Sequence, residues 1–260
     1  MNQILLYLMV VLQNLGNTCY FNSILQMLLN SNNITSENQS WNLIIQKLKN
    51  SNDCINLTSI FSFLNWHKFF KFKQPHDAHE AFLKLIDITK CTSFEINLLE
   101  FLITETEPYE KQLHKLTQNS LEITAVCDTL EECLNNFFKK EIITSWKDTK
   151  NINRNLIKYT FFNKTPEKLI ILIRQTYEEQ KYIKFPFVLD ISKWSKPTKY
   201  YENSKYLLKS VIIYKCFHYY IYCLQNSQWI LYNDENKTVM NDLDWIRNES
   251  PYMLLYEKLH

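Results

Sequence analysis

Cys19 opens an apolar-periodic run, and His218 opens a pair of strand-like segments, HYYIYC and WILYND, whose far end carries Asn233 and Asp234. These are the residue types of thiol catalysis, in which a thiolate attacks a carbonyl, an imidazole moves the proton and a side-chain oxygen holds the imidazole's tautomer. A cysteine at the first position of a helix meets backbone N–H groups and the positive end of the macrodipole, both of which favour the thiolate. The competing reading of Cys19 is a small buried hydrophobe, which is what most free cysteines are. His218 has a local partner because Gln225, Asn226 and Ser227 separate the two segments. Strand partners count outward symmetrically from a turn, so a two- or three-residue loop sets positions 233 to 235 opposite the imidazole.

The elements that must carry these groups follow from periodicity. From Cys19, the residues Phe21, Ile24, Leu25 and Leu28 fall at helical spacing until the Asn-rich stretch at 31–33. DAHEAFLKLID predicts a second helix with Ala78, Phe82, Leu85 and Ile86 on one face, and TLEECLNNFFKKE a third with Leu130, Leu134, Phe137 and Phe138. At i and i+3 in the second helix, Asp77 and Glu80 would share a polar face and could meet one cationic strand, or simply face water. Two histidines in the same stretch, His76 and His79, lack a clear third ligand and do not have the HExxH spacing of zinc proteases. After about Pro166 the texture changes to runs rich in Ile, Tyr and Val, such as KLIILI, YLLKSVIIY and YMLLY, which read as strands of an antiparallel sheet. Helices followed by strands is an α+β order.

The 260 residues are enough to bury a substantial core, and no repeat or linker divides them, so a single domain is the simpler reading. A net charge of +2 without a Lys/Arg cluster speaks against a nucleic-acid-binding surface. Seven cysteines with no CxxC pair argue against a disulfide framework and a structural zinc site, and point to a reducing, intracellular compartment. Ile4 to Leu12 is too short an apolar run to span a bilayer, and no positive stretch precedes it; it reads as a buried strand or a helix start. The chain has one glycine, Gly16, three residues before Cys19, where a backbone need for its conformational freedom is expected.

Three segments resemble one family, the ubiquitin-specific proteases, which are papain-like deubiquitinases. LQNLGNTCYFNSILQMLL is similar to that family's cysteine box, KQPHDAHEAFLKLID to its QQDAxEFLxxLLD segment, and FHYYIYC with WILYNDENKTV and SPYMLLYEK to its histidine box. TLEECLNNFF, PEKLIILIR and FPFVLDIS follow in the family order. The resemblance implies a papain-like cysteine protease fold in one catalytic domain, with a helical thumb over about 1–92, a reduced fingers or helical insert over about 93–165 and an antiparallel β palm over about 166–260. It implies Cys19 as nucleophile, His218 as general base and acid, Asn233 as the residue orienting the imidazole with Asp234 beside it, and Asn14 as the oxyanion donor. Asp77 and Glu80 would hold the arginines of the ubiquitin tail, and Tyr219 would line the channel for its terminal glycines. The implied activity is hydrolysis after the C-terminal glycine of ubiquitin or a ubiquitin-like modifier, with ubiquitinated proteins as partners, a cytoplasmic or nuclear location, and no cofactor, metal, nucleic acid or membrane.

The pattern breaks in places. Phe217 stands where the family usually has Gly before the histidine, and a short YKC replaces a longer glycine-rich blocking loop. The paired CxxC motifs of the fingers are absent, with EPYE and WKDTKN near their places, and Pro75 replaces a polar residue before the second helix. The alternative implied by Phe217 and the lost loop is a catalytically silent ubiquitin-binding scaffold of the same fold.

Overall fold

The computed structural model describes residues 10–175, 181–196 and 203–260, so most of the amino-terminal apolar run, residues 4–9, lies outside the described residues. The chain divides into two compact units, Met1–Ser93 with Lys209–Leu255, and Phe94–Leu208 with Tyr256–His260. The first unit begins with β1 (Val11–Leu12), α1 (Cys19–Leu29), α2 (Gln39–Lys49), β2 (Cys54–Ile55), α3 (Thr58–Phe63) and α4 (Ala78–Thr89). β1 pairs in parallel with β2. All eleven residues of α1 are buried, not only the apolar stripe. Burying Phe21, Ile24, Leu25 and Leu28 stabilises the fold by about 1.5–3 kcal/mol per side chain. The polar residues on the remaining face are tolerated because they find partners: Ser23 Oγ donates to the Cys19 carbonyl at 2.7 Å and Gln26 Nε2 to the Val10 carbonyl at 2.8 Å.

The second unit carries β3 (Ile96–Thr104), β4 (Lys111–Gln118), β5 (Leu121–Thr124), α5 (Leu130–Phe137), β6 (Glu141–Lys147), β7 (Asn153–Lys164), β8 (Lys168–Arg174) and β9 (Val188–Asp190). Over about 93–165, where the resemblance implies reduced fingers or a helical insert, the structure has a four-stranded antiparallel sheet in the order β4-β3-β7-β6, and α5 is the only helix among the described residues of that span. The physical reason is exposure: no residue of β4 or β6 is buried, so neither segment has a one-sided apolar alternation to betray it. α5 is shorter than TLEECLNNFFKKE suggests. Thr129 caps it reciprocally with Glu132, and Phe138 ends it. β5 pairs with β8 in parallel, an exception to the antiparallel expectation, and β8 is buried at every residue but Arg174.

The chain continues through β10 (Lys205–Lys215), β11 (His218–Gln225), β12 (Gln228–Asn233), β13 (Asn236–Met240), α6 (Asp244–Arg247) and β14 (Pro251–Lys258). In the first unit these strands lie in the order β13-β12-β11-β10-β14, and consecutive ones among β10 to β13 form antiparallel hairpins. The β11–β12 turn is the two residues Asn226 and Ser227, both at positive φ, and Gln225 pairs with Gln228. That twist matches the strands it joins. No helix among the described residues is long and apolar enough to cross a membrane.

Candidate active site

The segment between β1 and α1 is tied to itself and to the β12–β13 turn. Asn14 Oδ1 accepts from the Gly16 N–H at 3.0 Å and from the Thr18 N–H at 3.2 Å, while Thr18 Oγ1 accepts from the Leu15 N–H at 3.0 Å. Gly16 has φ +92, a conformation that side-chain-bearing residues rarely adopt, and this calls for glycine; a Cβ there would sit 3.3 Å from Cγ of the exposed Lys73. Asn17 follows in the left-handed region, with Nδ2 donating to the Lys73 carbonyl at 2.9 Å. Asn14 Nδ2 then reaches out of the loop to Asp234 Oδ2 at 2.7 Å.

Cys19 is the first residue of α1 and is 7% exposed. Burial pushes its thiol up; the Tyr219 N–H, directed at the sulfur, works the other way, and the charge of Asp234 adds to the rise. The helix start therefore does not by itself yield a thiolate in the resting protein. Because Tyr219 directly follows His218 at the start of β11, the N–H contact brings the Cys19 sulfur to the imidazole's end of that strand. His218 Nε2 lies 2.7 Å from Asn233 Oδ1 and 3.8 Å from Asp234 Oδ2. An amide oxygen only accepts, so Nε2 carries the proton and Nδ1 keeps the lone pair of a base. Continuing the β11–β12 register outward places residue 235 opposite His218, and the contact to Asn233 is thus diagonal across the hairpin.

One participant has no counterpart in the sequence reading. Asn22, on α1 and 3% exposed, donates through Nδ2 to Asp234 Oδ1 at 2.6 Å. Asp234 is thus held by two asparagine amides, one on each oxygen. The only hint was a polar residue within a buried apolar helix.

Beside Cys19 opens a cleft of about 310 Å³ bordered by His76, Asp77, Tyr214, Phe217, Tyr219 and Tyr252. Asp77 is the N-cap of α4 with extended backbone, so it flanks the helix whose first turn carries Glu80 instead of lying within it. Its Oδ1 accepts from the Glu80 N–H at 2.9 Å and its Oδ2 from the Tyr252 hydroxyl at 2.7 Å. Glu80 is exposed in the first turn. Tyr219 is 6% exposed, its ring centroid 5.3 Å from Tyr252 and 4.5 Å from Tyr214. Burial pushes the Tyr219 and Tyr252 hydroxyls far above the usual phenol range. Phe217 is 88% exposed and, with Cys216, forms the β10–β11 turn in the left-handed region, so it fills no buried space. His79 is buried, His76 precedes the helix cap with Nε2 at 2.9 Å from the Lys71 carbonyl, and no group of three metal-ligating side chains occurs among the described residues.

The family description "Ubiquitin carboxyl-terminal hydrolase" matches residues 10–256. The chain belongs to this family. Over 148 residues, half of this chain, it is 32% identical to ubiquitin hydrolase B of Dictyostelium discoideum, of which the match covers 31%. Over 155 residues it is 24% identical to ubiquitin carboxyl-terminal hydrolase 10 of Saccharomyces cerevisiae, again half of this chain but 19% of that protein. The chain therefore spans less than a third of the curated relatives it matches. Its fold superimposes over 98% of its length on 70% of a chain from the SAGA Ubp8/Sgf11/Sus1/Sgf73 DUB module bound to ubiquitin aldehyde, at 19% identity and a TM-score of 0.77. A second structure of that module, bound to monoubiquitin, gives 20% identity and a TM-score of 0.78 over the same shares. The α+β, papain-like fold expected from the sequence is the fold of this member of the ubiquitin hydrolase family.

Proposed function

We propose that this chain is a thiol-dependent deubiquitinase that cleaves the isopeptide or peptide bond after the C-terminal glycine of ubiquitin or a ubiquitin-like modifier. The observation that carries the reading is the convergence on one strand end of the Cys19 sulfur, the His218–Asn233 pair and the Asn14 amide. His218 Nδ1 takes the thiol proton as the Cys19 sulfur attacks the carbonyl carbon. Asn14 has two amide hydrogens; Asp234 takes one and so fixes the direction of the other, which serves the oxyanion. The imidazolium protonates the departing amine, and water, deprotonated by the same base, releases the modifier's carboxylate from the thioester. Asp77 and Glu80 receive the arginines of the tail, and Tyr219 walls the passage of its glycines. Residues of about 1–92 act as thumb, 93–165 as reduced fingers and 166–260 as palm within one catalytic domain. The setting is intracellular, cytoplasmic or nuclear.

Ubiquitin carrying a C-terminal electrophile tests this. The chain should be captured covalently, and capture should vanish in Cys19→Ala; labelling that persists in that variant would place the nucleophile elsewhere. The alternative, a silent ubiquitin-binding scaffold, rests on Phe217, a bulky residue at the mouth of the cleft. It is favoured if the chain binds ubiquitin without turning over a fluorogenic ubiquitin substrate and Phe217→Gly restores turnover.

A further inference from the structure

Asn22 is out of place by composition. A buried position on an apolar helix favours a hydrocarbon side chain, and an amide there is costly unless its groups are paired. Asn22 is 3% exposed, and its Oδ1 has no hydrogen-bond partner among the described residues. Its Nδ2, by contrast, meets three acceptors: Asp234 Oδ1 at 2.6 Å and the Leu12 and Gln13 carbonyls, each at 3.4 Å. The amide is thus placed for what it donates. An ionised carboxylate only accepts, which fixes the end of the amide that faces it.

The helix that delivers the sulfur also delivers this amide, because Cys19 and Asn22 stand at i and i+3 on α1 and lie on one face. The terminal torsion of an aspartate is broad, so a carboxylate tied through one oxygen can swing about that tie. Asp234 is tied through both, Oδ1 to Asn22 and Oδ2 to the Asn14 amide at 2.7 Å. Released at Oδ1, it could turn toward His218 Nε2, 3.8 Å from Oδ2, and draw the Asn14 amide with it. The loop backbone has a separate anchor, since the Asn14 N–H donates to Glu235 Oε1 at 2.7 Å. We infer that Asn22 is a positioning residue for the oxyanion: it locks the Asp234 carboxylate, and through it the Asn14 amide, in register with the Cys19 sulfur. The inference rests on the deubiquitinase reading.

The test is a double-mutant cycle on the full chain, read by hydrolysis of a fluorogenic ubiquitin substrate well below the melting midpoint of each variant. Asn22→Ala should lower kcat about tenfold and leave KM within about twofold, a smaller loss than the roughly hundredfold that follows removal of an oxyanion donor. In an Asp234→Ala background the same substitution should cost less than about twofold, because the carboxylate it acts through is gone. A merely structural asparagine would give equal factors in the two backgrounds, and that result would overturn the assignment. So would a parent-like kcat in Asn22→Ala. Should Asn22→Ala fail to fold, Asn22→Leu, whose branched side chain has the outline of the amide, takes its place in the cycle with the same expected factors and the same overturning results. Failure of the parent chain to be captured by electrophilic ubiquitin would overturn the deubiquitinase reading and this inference with it, an outcome distinct from the others.

Discussion

Two buried or nearly buried aspartates, one in each compact unit, are held in opposite ways. Asp148, in the turn between β6 and β7, accepts the backbone N–H groups of Lys150 and Ile152, each at 2.8 Å, and pairs with Arg154 Nε at 2.6 Å. Arg154 in turn donates to the Glu107 carbonyl at 2.9 Å, and Thr149 to Glu110 at 2.8 Å, so the cluster ties the β6–β7 turn to the β3–β4 turn. Asp234 is held only by the neutral amides of Asn14 and Asn22, with His218 Nε2 at 3.8 Å. A carboxylate saturated by a guanidinium and two N–H groups acts as a staple. One held by amides keeps its field directed at its neighbours, here a thiol whose ionisation it opposes.

The comparison can be broken by substitution. Asp234→Ala should have the largest effect: freeing the Asn14 amide from its aim should cost about 100-fold in turnover of a ubiquitin substrate, in line with loss of an oxyanion donor. A variant that loses stability while keeping its rate would make Asp234 a staple as well. Asp148→Asn should do the converse, lowering the melting midpoint by several degrees with kcat unchanged. The hydrogen bonds from Ile152 and Arg154 hold the Asp148 carboxyl below the usual range. Its contribution is therefore present above the unfolded aspartate pKa of about 3.9 and is lost as pH falls through the lower native value. Acid unfolding followed by circular dichroism should show that loss in the parent and not in Asp148→Asn. A milder probe is alkylation of Cys19 without substrate: since burial raises its thiol, the rate with iodoacetamide should still be climbing above about pH 9, and a plateau near neutrality would contradict the resting state described above. The smallest expected change is Phe217→Gly, which relieves a bulky side chain at φ +61 and should stabilise the chain by about 1 kcal/mol in chemical denaturation.

Much of the site was legible before folding. The helix from Cys19 and the hairpin that brings His218 near positions 233 to 235 follow from local periods, 3.6 and 2, and from counting residues around a turn. Partners that meet only through the tertiary fold were not. Asn22 finds Asp234 across 212 positions, and Tyr252 finds Asp77 across 175, with nothing in either neighbourhood to announce it. The i, i+3 spacing of Asp77 and Glu80 presumes that both residues are helical, whereas Asp77 caps the helix with extended backbone. The outer strands β4 and β6 of the four-stranded sheet escaped notice because strands with no buried residue carry no pattern of burial.

Asp234 occupies the tight turn between Asn233 and Asn236, at φ +51. Most surface hairpin tips accept an extra residue at little cost. This one should not: lengthening it would retract the carboxylate from the asparagines on either side and shift Asn233 relative to the imidazole. On the proposed mechanism turn length here sets the rate, so among relatives it should vary less than the length of the Asp148 turn.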